Sequence, residues 1–483
     1  MTTSTSNAYL YYCAAAASIG FFHFGYHLGE LNNISTVLPC LTVTLDDPSL
    51  KSFLGLPACI PMSTTQFSFA SALIALAGAF GALVGGNLAM TKGRRTTILL
   101  FNIPMLAGAL LLLFMSNYTM LVFGRLFSGI GTGGMLAVVP IYISEISPNH
   151  LRGRTGIFST IALSSGLAAA GTLGYFFYQP PSWRIITGFT IITTVLQVIT
   201  MFFAVESPVF LQSAGRKAEA HAVLTRMGCP IEEQEEKEEQ VTGKAAEHHA
   251  DDQADVAATA AAVVTVASTE EAGPTVVQFI TEQKYRPSLI VLLLSHITQQ
   301  ASGINVYFSY SFRILSLVFS PEGAALFYVF FSYYNILINL IPAFLLDRYG
   351  RRPLMLFSTF SMAFFAAMFA FFVEVVNSPW VALVAFVGAA TVFALGLSSI
   401  PFILTAEVVE PNAVGPAAQV SLVANNLTNF VILFVFPIIL DAIGAWTFLI
   451  LTGYLVIAGF VSLRVLPETK GKSPQEVVAA LRA

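Results

Sequence analysis

The chain has 483 residues, of which 55% are apolar, 12% aromatic and only 10% charged. Soluble domains carry about 25% charge, so a soluble enzyme, a secreted disulfide scaffold and a nucleic-acid-binding protein are excluded. The net charge of −4 averages two regions: positions 206–286 hold 15 acidic and 7 basic residues, a sum of −8, so the remainder carries +4. With a mean hydropathy of +0.74, the solvent for most of this chain is lipid.

The N-terminus, MTTSTSNAYL, has no basic region before the first apolar stretch and no small-residue cleavage site after it, which predicts a retained anchor. Stretches long enough to cross the bilayer core follow at 8–31, 66–90, 96–115, 118–143, 154–177 and 184–204. Lipid offers backbone groups no partner, so each is expected to be a helix. Residues 205–286 interrupt the series. Their first part, SPVFLQSAGRKAEAHAVLTRMG, has helical periodicity and charge suited to a membrane face. The tract 231–273, opening on EEQEEKEEQ, is too polar and too biased in composition to bury a core, which predicts disorder. Six further spans fall at 287–312, 324–346, 353–373, 380–404, 417–440 and 446–465, followed by a short tail over 467–483.

Twelve spans put both termini on one side. With the N-terminus inside, and with Lys237 and Lys244 discounted because they sit deep in the long linker, seventeen basic residues fall in the inner segments and three (Lys51, Arg184 and Arg313) in the outer loops, so both termini are expected in the cytoplasm. The predicted fold is an all-α membrane protein of two six-helix halves, 1–204 and 287–466, joined by a cytosolic linker over 205–286. Cys40 and Cys59 share the first outer loop and are placed to bridge if it faces an oxidising compartment, whereas Cys13 and Cys229 read as ordinary thiols. Asn33-Ile34-Ser35 and Asn117-Tyr118-Thr119 are outer-loop glycosylation sequons, while Asn426-Leu427-Thr428 lies inside a span. No metal-ligand cluster, nucleophile elbow or phosphate-binding glycine loop is present, so neither cofactor nor metal is expected; Gly129, Gly131 and Gly133 lie on a span, where small residues allow close helix packing.

The chain repeats itself. Gly93-Arg94-Arg95 recurs as Gly350-Arg351-Arg352, an offset of 257, while Glu145 recurs as Glu407 and Glu206 as Glu468, both offset by 262. Parallel halves of this kind enclose a substrate cavity near the bilayer midplane and rock around it. A channel or receptor has no need of such a duplication.

These landmarks resemble the sugar porter family of the major facilitator superfamily, whose matching pieces here are GRLFSGIGTGGMLAVVPIYISEISPNHLRG at 124–153, VESPVFL at 205–211, QQASGIN at 299–305, DRYGRR at 347–352 and PETKG at 467–471. FGYHLGELN in the first helix, with Cys40 and Cys59 behind it, resembles a fungal branch associated with the vacuolar membrane. The resemblance implies the major facilitator fold and transport of a monosaccharide, a hexose or a related polyol, by alternating access. Gln299, Gln300, Asn305, Asn335 and Asn425 are then the hexose-binding amides, facing inward because a carboxamide in hydrocarbon needs a partner. Phe402 and Tyr310 supply ring faces, and Asn429 reads as packing glue. Thr160 stands where sugar porters have Gln, and Ser398-Ser399-Ile400-Pro401-Phe402 replaces a segment ending in Trp, which predicts a roomier pocket.

The family also implies an ion-pair gate of Arg94, Arg95, Glu145, Arg152, Asp347, Arg351, Arg352 and Glu407 at the inner face. Two departures weaken it: Met90 stands where the first-half motif has a carboxylate, and Val414 where an Arg follows the tenth helix. Proton-driven members carry Asp after FGY and facilitative ones Asn; here the position is His27, with Glu30 on the same helix face and Arg125 as their expected neighbour. Coupling through these three competes with a neutral hydrogen-bonding role for His27. The alternatives to a plain sugar carrier are a proton-coupled symporter and a non-transporting sensor; sensors carry a long signalling tail, and only 18 residues follow the last span here. The acidic tract over 231–273 is a candidate docking site for a trafficking factor.

Overall fold

A computed structural model describes residues 2–41, 55–148, 151–227, 274–341 and 348–482. Asp347, Lys51, Cys229 and the tract over 231–273 lie outside the described residues. The first half is six unbroken helices: α1 Thr2–Gly29, α2 Thr64–Lys92, α3 Arg94–Leu113, α4 Tyr118–Ile146, α5 Arg152–Phe177 and α6 Trp183–Phe202. Their ends follow local chemistry. Ser63 and Gln66 form a capping box before α2, and the Asn117 side chain accepts the Met120 N–H at 3.0 Å to cap α4. Two short helices, α7 Pro208–Ser213 and α8 Lys217–Arg226, then lie against the end of the bundle that carries the Gly-Arg-Arg turns, called here the basic end.

The second half opens with α9 Val276–Thr281 and a crossing made of three pieces, α10 Arg286–Ala301, α11 Ile304–Ser309 and α12 Ser311–Leu315. It continues with α13 Pro321–Ile338, α14 Arg351–Glu374, a two-piece crossing of α15 Pro379–Leu395 and α16 Ile400–Glu407, then α17 Val414–Ile443, α18 Thr447–Val465 and a surface helix, α19 Pro474–Arg482. Among the described residues nine segments are long and apolar enough to cross a membrane, one of which, Pro411–Val465, holds two crossings. With α1 and α13 the count is twelve. The spans expected as continuous at 287–312 and 380–404 are broken. Gly303 adopts a left-handed φ of 80°, which interrupts the first. In the second, α15 stops at Leu395 and α16 starts one residue before Pro401, whose ring supplies no N–H to carry the ladder through the gap.

Side chains are distributed as lipid demands. Large apolar groups such as Phe80, Ile103, Phe176, Phe330, Phe364 and Ile457 are exposed, while Ser68, Thr97, Asn102, Ser128 and Thr132 are buried between helices. Small residues allow close crossings: a Cβ on Gly25 of α1 would sit 1.9 Å from the Leu163 carbonyl oxygen of α5.

The two halves meet at the end opposite the basic one. Asn32 donates to Ser311 Oγ at 2.8 Å and accepts the Phe312 N–H at 3.0 Å, and Phe69 packs edge-on against Phe430 and Phe434. Along one face of α5, Ser164 and Gly171 are buried against α13, whereas Arg152, Gly156 and Thr160, earlier on the same stripe, are exposed. The cleft is closed at the far end and open at the basic end.

Candidate transport site and its gates

Four of the five predicted amides share one hydrogen-bonded group across α10, α11 and α17. Gln300 Nε2 donates to Asn425 Oδ1 at 2.9 Å, and Asn425 Nδ2 donates to Gln299 Oε1 at 2.7 Å. Asn305 Nδ2 donates to Gln300 Oε1 and to Asn429 Oδ1, both at 2.9 Å. Asn429, set apart above as packing glue, is thus part of the group. Gln299 Nε2 is taken up by the Leu397 and Ser398 carbonyls, at 2.8 and 2.9 Å, which the break between α15 and α16 leaves without helical partners. The left-handed turn at Gly303 brings Asn305 back onto Gln300, five residues earlier.

Asn335 lies elsewhere. Its Oδ1 accepts from Ser164 Oγ at 3.3 Å and from Asn339 Nδ2 at 2.7 Å, on the seam between the halves. Thr160 lies one turn before Ser164 on the exposed stripe, without a described partner among the amides. Tyr310 is buried with its hydroxyl on the Leu433 carbonyl at 3.1 Å and makes no described contact with the amides. Phe402 is half exposed and meets the group through His296, their ring centres 5.1 Å apart and perpendicular. The sequence reading missed His296. Its Nδ1 lies 3.3 Å from Asn425 Nδ2 and its Nε2 3.2 Å from Thr405 Oγ1. A signal was present: an ionisable residue at membrane depth, on the same helical face as Gln299 and Gln300.

A second buried group lies in the first half. His27 Nδ1 is 2.6 Å from Glu30 Oε2, an approach by distance rather than an aligned hydrogen bond, and Arg125 Nη1 is 3.4 Å from Glu30 Oε1. Arg125 also donates to the His27 and Ser71 carbonyls at 3.2 Å. All three side chains are buried, so the charges answer to one another rather than to water.

At the basic end each half carries a copy of one cluster. In the first, Arg94 Nη2 pairs with Glu145 Oε1 at 2.8 Å, Ser207 Oγ donates to Glu145 Oε2, and Glu206 accepts the Arg94 and Arg95 backbone N–H groups. In the second, Arg351 holds both oxygens of Glu407 at 2.8 and 3.2 Å, Thr469 Oγ1 donates to Glu407, and Glu468 accepts the Arg351 and Arg352 N–H groups. Burial opposes ionisation of Glu468, yet the N–H groups of Lys470, Arg351, Arg352 and Thr469 outweigh it and hold the carboxyl below its usual range. Arg95 and Arg352 donate to carbonyls at the ends of α6 and α18, and Arg152 to the Ser144 carbonyl. No described ion pair joins the two halves, so in this conformation the clusters brace each half internally rather than linking them.

Cys40 and Cys59 form a disulfide at the closed end. The loop beside it is pinned by Trp183 Nε1 on the Ala58 carbonyl and Arg184 on the Pro57 carbonyl, both at 2.7 Å. Of the two outer sequons, Asn33 is buried with its Nδ2 on the Gly171 carbonyl, and Asn117 is exposed at the N-terminus of α4.

Comparison with known proteins places this geometry. The family described as "Sugar (and other) transporter" matches residues 12–481. A probable metabolite transport protein of Saccharomyces cerevisiae is 27% identical over 473 residues, 96% of this chain and 93% of that protein. Facilitated glucose transporter member 3 of solute carrier family 2 from Canis lupus familiaris is 28% identical over 499 residues, 99% of this chain and 94% of the relative. Vacuolar protein sorting-associated protein 73 of Saccharomyces cerevisiae is 26% identical over 474 residues, 95% and 94% of the two chains. Among solved structures, the inward-open xylose transporter XylE from E. coli superimposes with a TM-score of 0.74 at 19% identity, covering 98% of this chain and all of that one. The chain belongs to the sugar transporter family. It is an integral multi-pass carrier of the major facilitator fold, not an enzyme.

Proposed function

We propose that this protein carries a monosaccharide across a membrane by alternating access, with the amide group of α10, α11 and α17 as its binding chamber. The observation that supports this most is the unspent hydrogen-bonding capacity of that group. Gln299 has both N–H groups engaged and keeps only one lone pair, but Gln300 keeps one N–H and one lone pair, Asn305 its Oδ1, Asn425 a lone pair, and Asn429 a lone pair and both N–H groups. Uncharged donors and acceptors in alternation suit vicinal hydroxyls and do not attract ions. Phe402 offers a ring face beside them, while Thr160 and Asn335 border the cleft from the facing helices. A Thr and a Phe in place of larger groups leave room for fructose or a polyol as well as glucose. Tyr310 joins the site only if the joint between α11 and α12 moves.

The two halves, 1–204 and 287–466, are the rocking bodies, and the basic end is the cytoplasmic one, with both termini on that side. The excess of basic residues there and a disulfide at the opposite end favour this orientation. The clusters around Glu145 and Glu407 are the inner gate. The buried His27, Glu30 and Arg125 favour proton coupling over passive transport. The relationship to the yeast vacuolar sorting protein favours a vacuolar membrane, and a trafficking factor is the candidate partner of the tract over 231–273.

Purified protein in proteoliposomes tests the chamber. Counterflow of radiolabelled D-glucose, D-fructose and D-xylose is expected in wild type, and Gln300→Ala should raise KM with the fold intact. Wild-type counterflow of none of these sugars, or an unaltered KM in Gln300→Ala, would overturn the assignment.

A further inference from the structure

His23 lies one turn before His27 on α1, toward the basic end, and is fully buried. Its Nε2 is 3.0 Å from Thr193 Oγ1 of α6, and its Nδ1 has no partner. On α6, Thr190 Oγ1 and Gln197 Oε1, about one turn to either side of Thr193, are also buried without partners. An unpaired buried polar atom is costly, and such groups are ordinarily served by ordered water. Three of them along one helix seam mark it as wet. The neighbouring seam of α1 with α5, by contrast, is closed by backbone contact at Gly25.

We propose that the seam between α1 and α6 holds bound water and that His23 is a second proton-carrying residue, relaying protons between the His27–Glu30–Arg125 group and the basic end by a route separate from the sugar chamber. This rests on the proton-coupled reading given above. His23 begins neutral, with its proton on Nε2 toward Thr193. A proton leaving the Glu30–His27 pair through bound water arrives on Nδ1, and the proton on Nε2 leaves by way of Thr193 and the water beside Gln197. One proton is moved and no other bond changes. The titratable side chains packed about this level are His27, Glu30 and Tyr26 of α1, Arg125 of α4 and, from the second half beside Arg125, Tyr310. The facing parts of α3, α5 and α6 contribute none.

The experiment uses the full chain in vesicles loaded with a pH-sensitive dye, driven by whichever of D-glucose, D-fructose and D-xylose wild type exchanges fastest. In His23→Gln, which keeps a partner for Thr193, sugar-driven proton influx is expected to fall about 100-fold, the low end of what a positioned acid–base group contributes. Sugar counterflow, which needs no net proton movement, should persist and confirm folding. Thr193→Val leaves the imidazole but removes its exit, and is expected to shift the pH profile of influx. Wild-type influx and pH profile in both variants would overturn the role of His23. Sugar movement without proton influx in wild type would instead overturn the coupling reading, and the relay with it.

Discussion

Replacing Asn32 by Ala tests how the far end is held shut. Asn32 bridges the halves with its side chain, donating to Ser311 Oγ at 2.8 Å and accepting the Phe312 N–H at 3.0 Å. Hydrogen bonds between membrane helices average about 0.6 kcal/mol, and buried ones in general reach about 1.5. Two of them give about 1–3 kcal/mol. In the conformation open at the far end, water would serve all three groups, so the substitution takes stability from the closed form alone. At 1.4 kcal/mol per factor of ten, the balance should move toward that open form by about 5- to 100-fold. The assay is the labelling rate of a cysteine placed at Phe430, which packs on Phe69 across the same seam, by a membrane-impermeant maleimide applied from the far side. Labelling about ten times faster in Asn32→Ala supports the closure. An unchanged rate in a protein of unchanged melting temperature would refute it.

Three further outcomes follow from the same structure. Glu145→Gln removes the ionic partner of Arg94 and weakens the acceptor for Ser207; both charges are mostly but not wholly buried, so a loss of about 1–3 kcal/mol is expected in the first half, with altered cleft accessibility. It is read by thermal melting together with cysteine labelling. Glu468 has a lowered carboxyl pKa, so the stability it contributes is complete above the usual carboxylate range and is lost as pH falls through its folded value; melting between neutral pH and about pH 3 should show a shallower acid decline in Glu468→Gln. Cys40→Ser opens a bridge between residues 19 apart, worth about 3 kcal/mol by loop entropy, and should expose the loop near Ala58 to proteolysis from the far side, an outcome visible on gels.

The twelve helices and their duplication were legible because lipid allows few answers: a long apolar run must be a helix, and like turn chemistry recurring at nearly one spacing implies repeated units. The Glu145 and Glu407 clusters were legible for the same reason. The breaks were not. Neither Gly303 nor Pro401 alone tells a kink from an interruption, since neighbouring helices in a bundle can satisfy the freed backbone groups. Without the Gly303 turn, Asn305 and Asn429 have no visible reason to meet, which is why Asn429 was read as packing. Asn335 was grouped with the other amides by depth, whereas its face on α13 turns it to Ser164 of the other half. His296 carries no motif of its own: it precedes the QQASGIN segment, and only its meeting with Asn425 and Thr405 across the bundle marks it as part of the group.

The interruption between α15 and α16 has a mechanical consequence. Its loose carbonyls at Leu397 and Ser398 are fastened by Gln299, a side chain of the chamber itself. If the amide group is the sugar chamber proposed above, a guest that competes for that carboxamide would unfasten a joint in the next crossing, whereas the first half, whose described helices are unjointed rods, offers no such fastening. On that reading the two halves need not move alike: one would serve as a stiff jaw, and the other would bend in answer to its cargo.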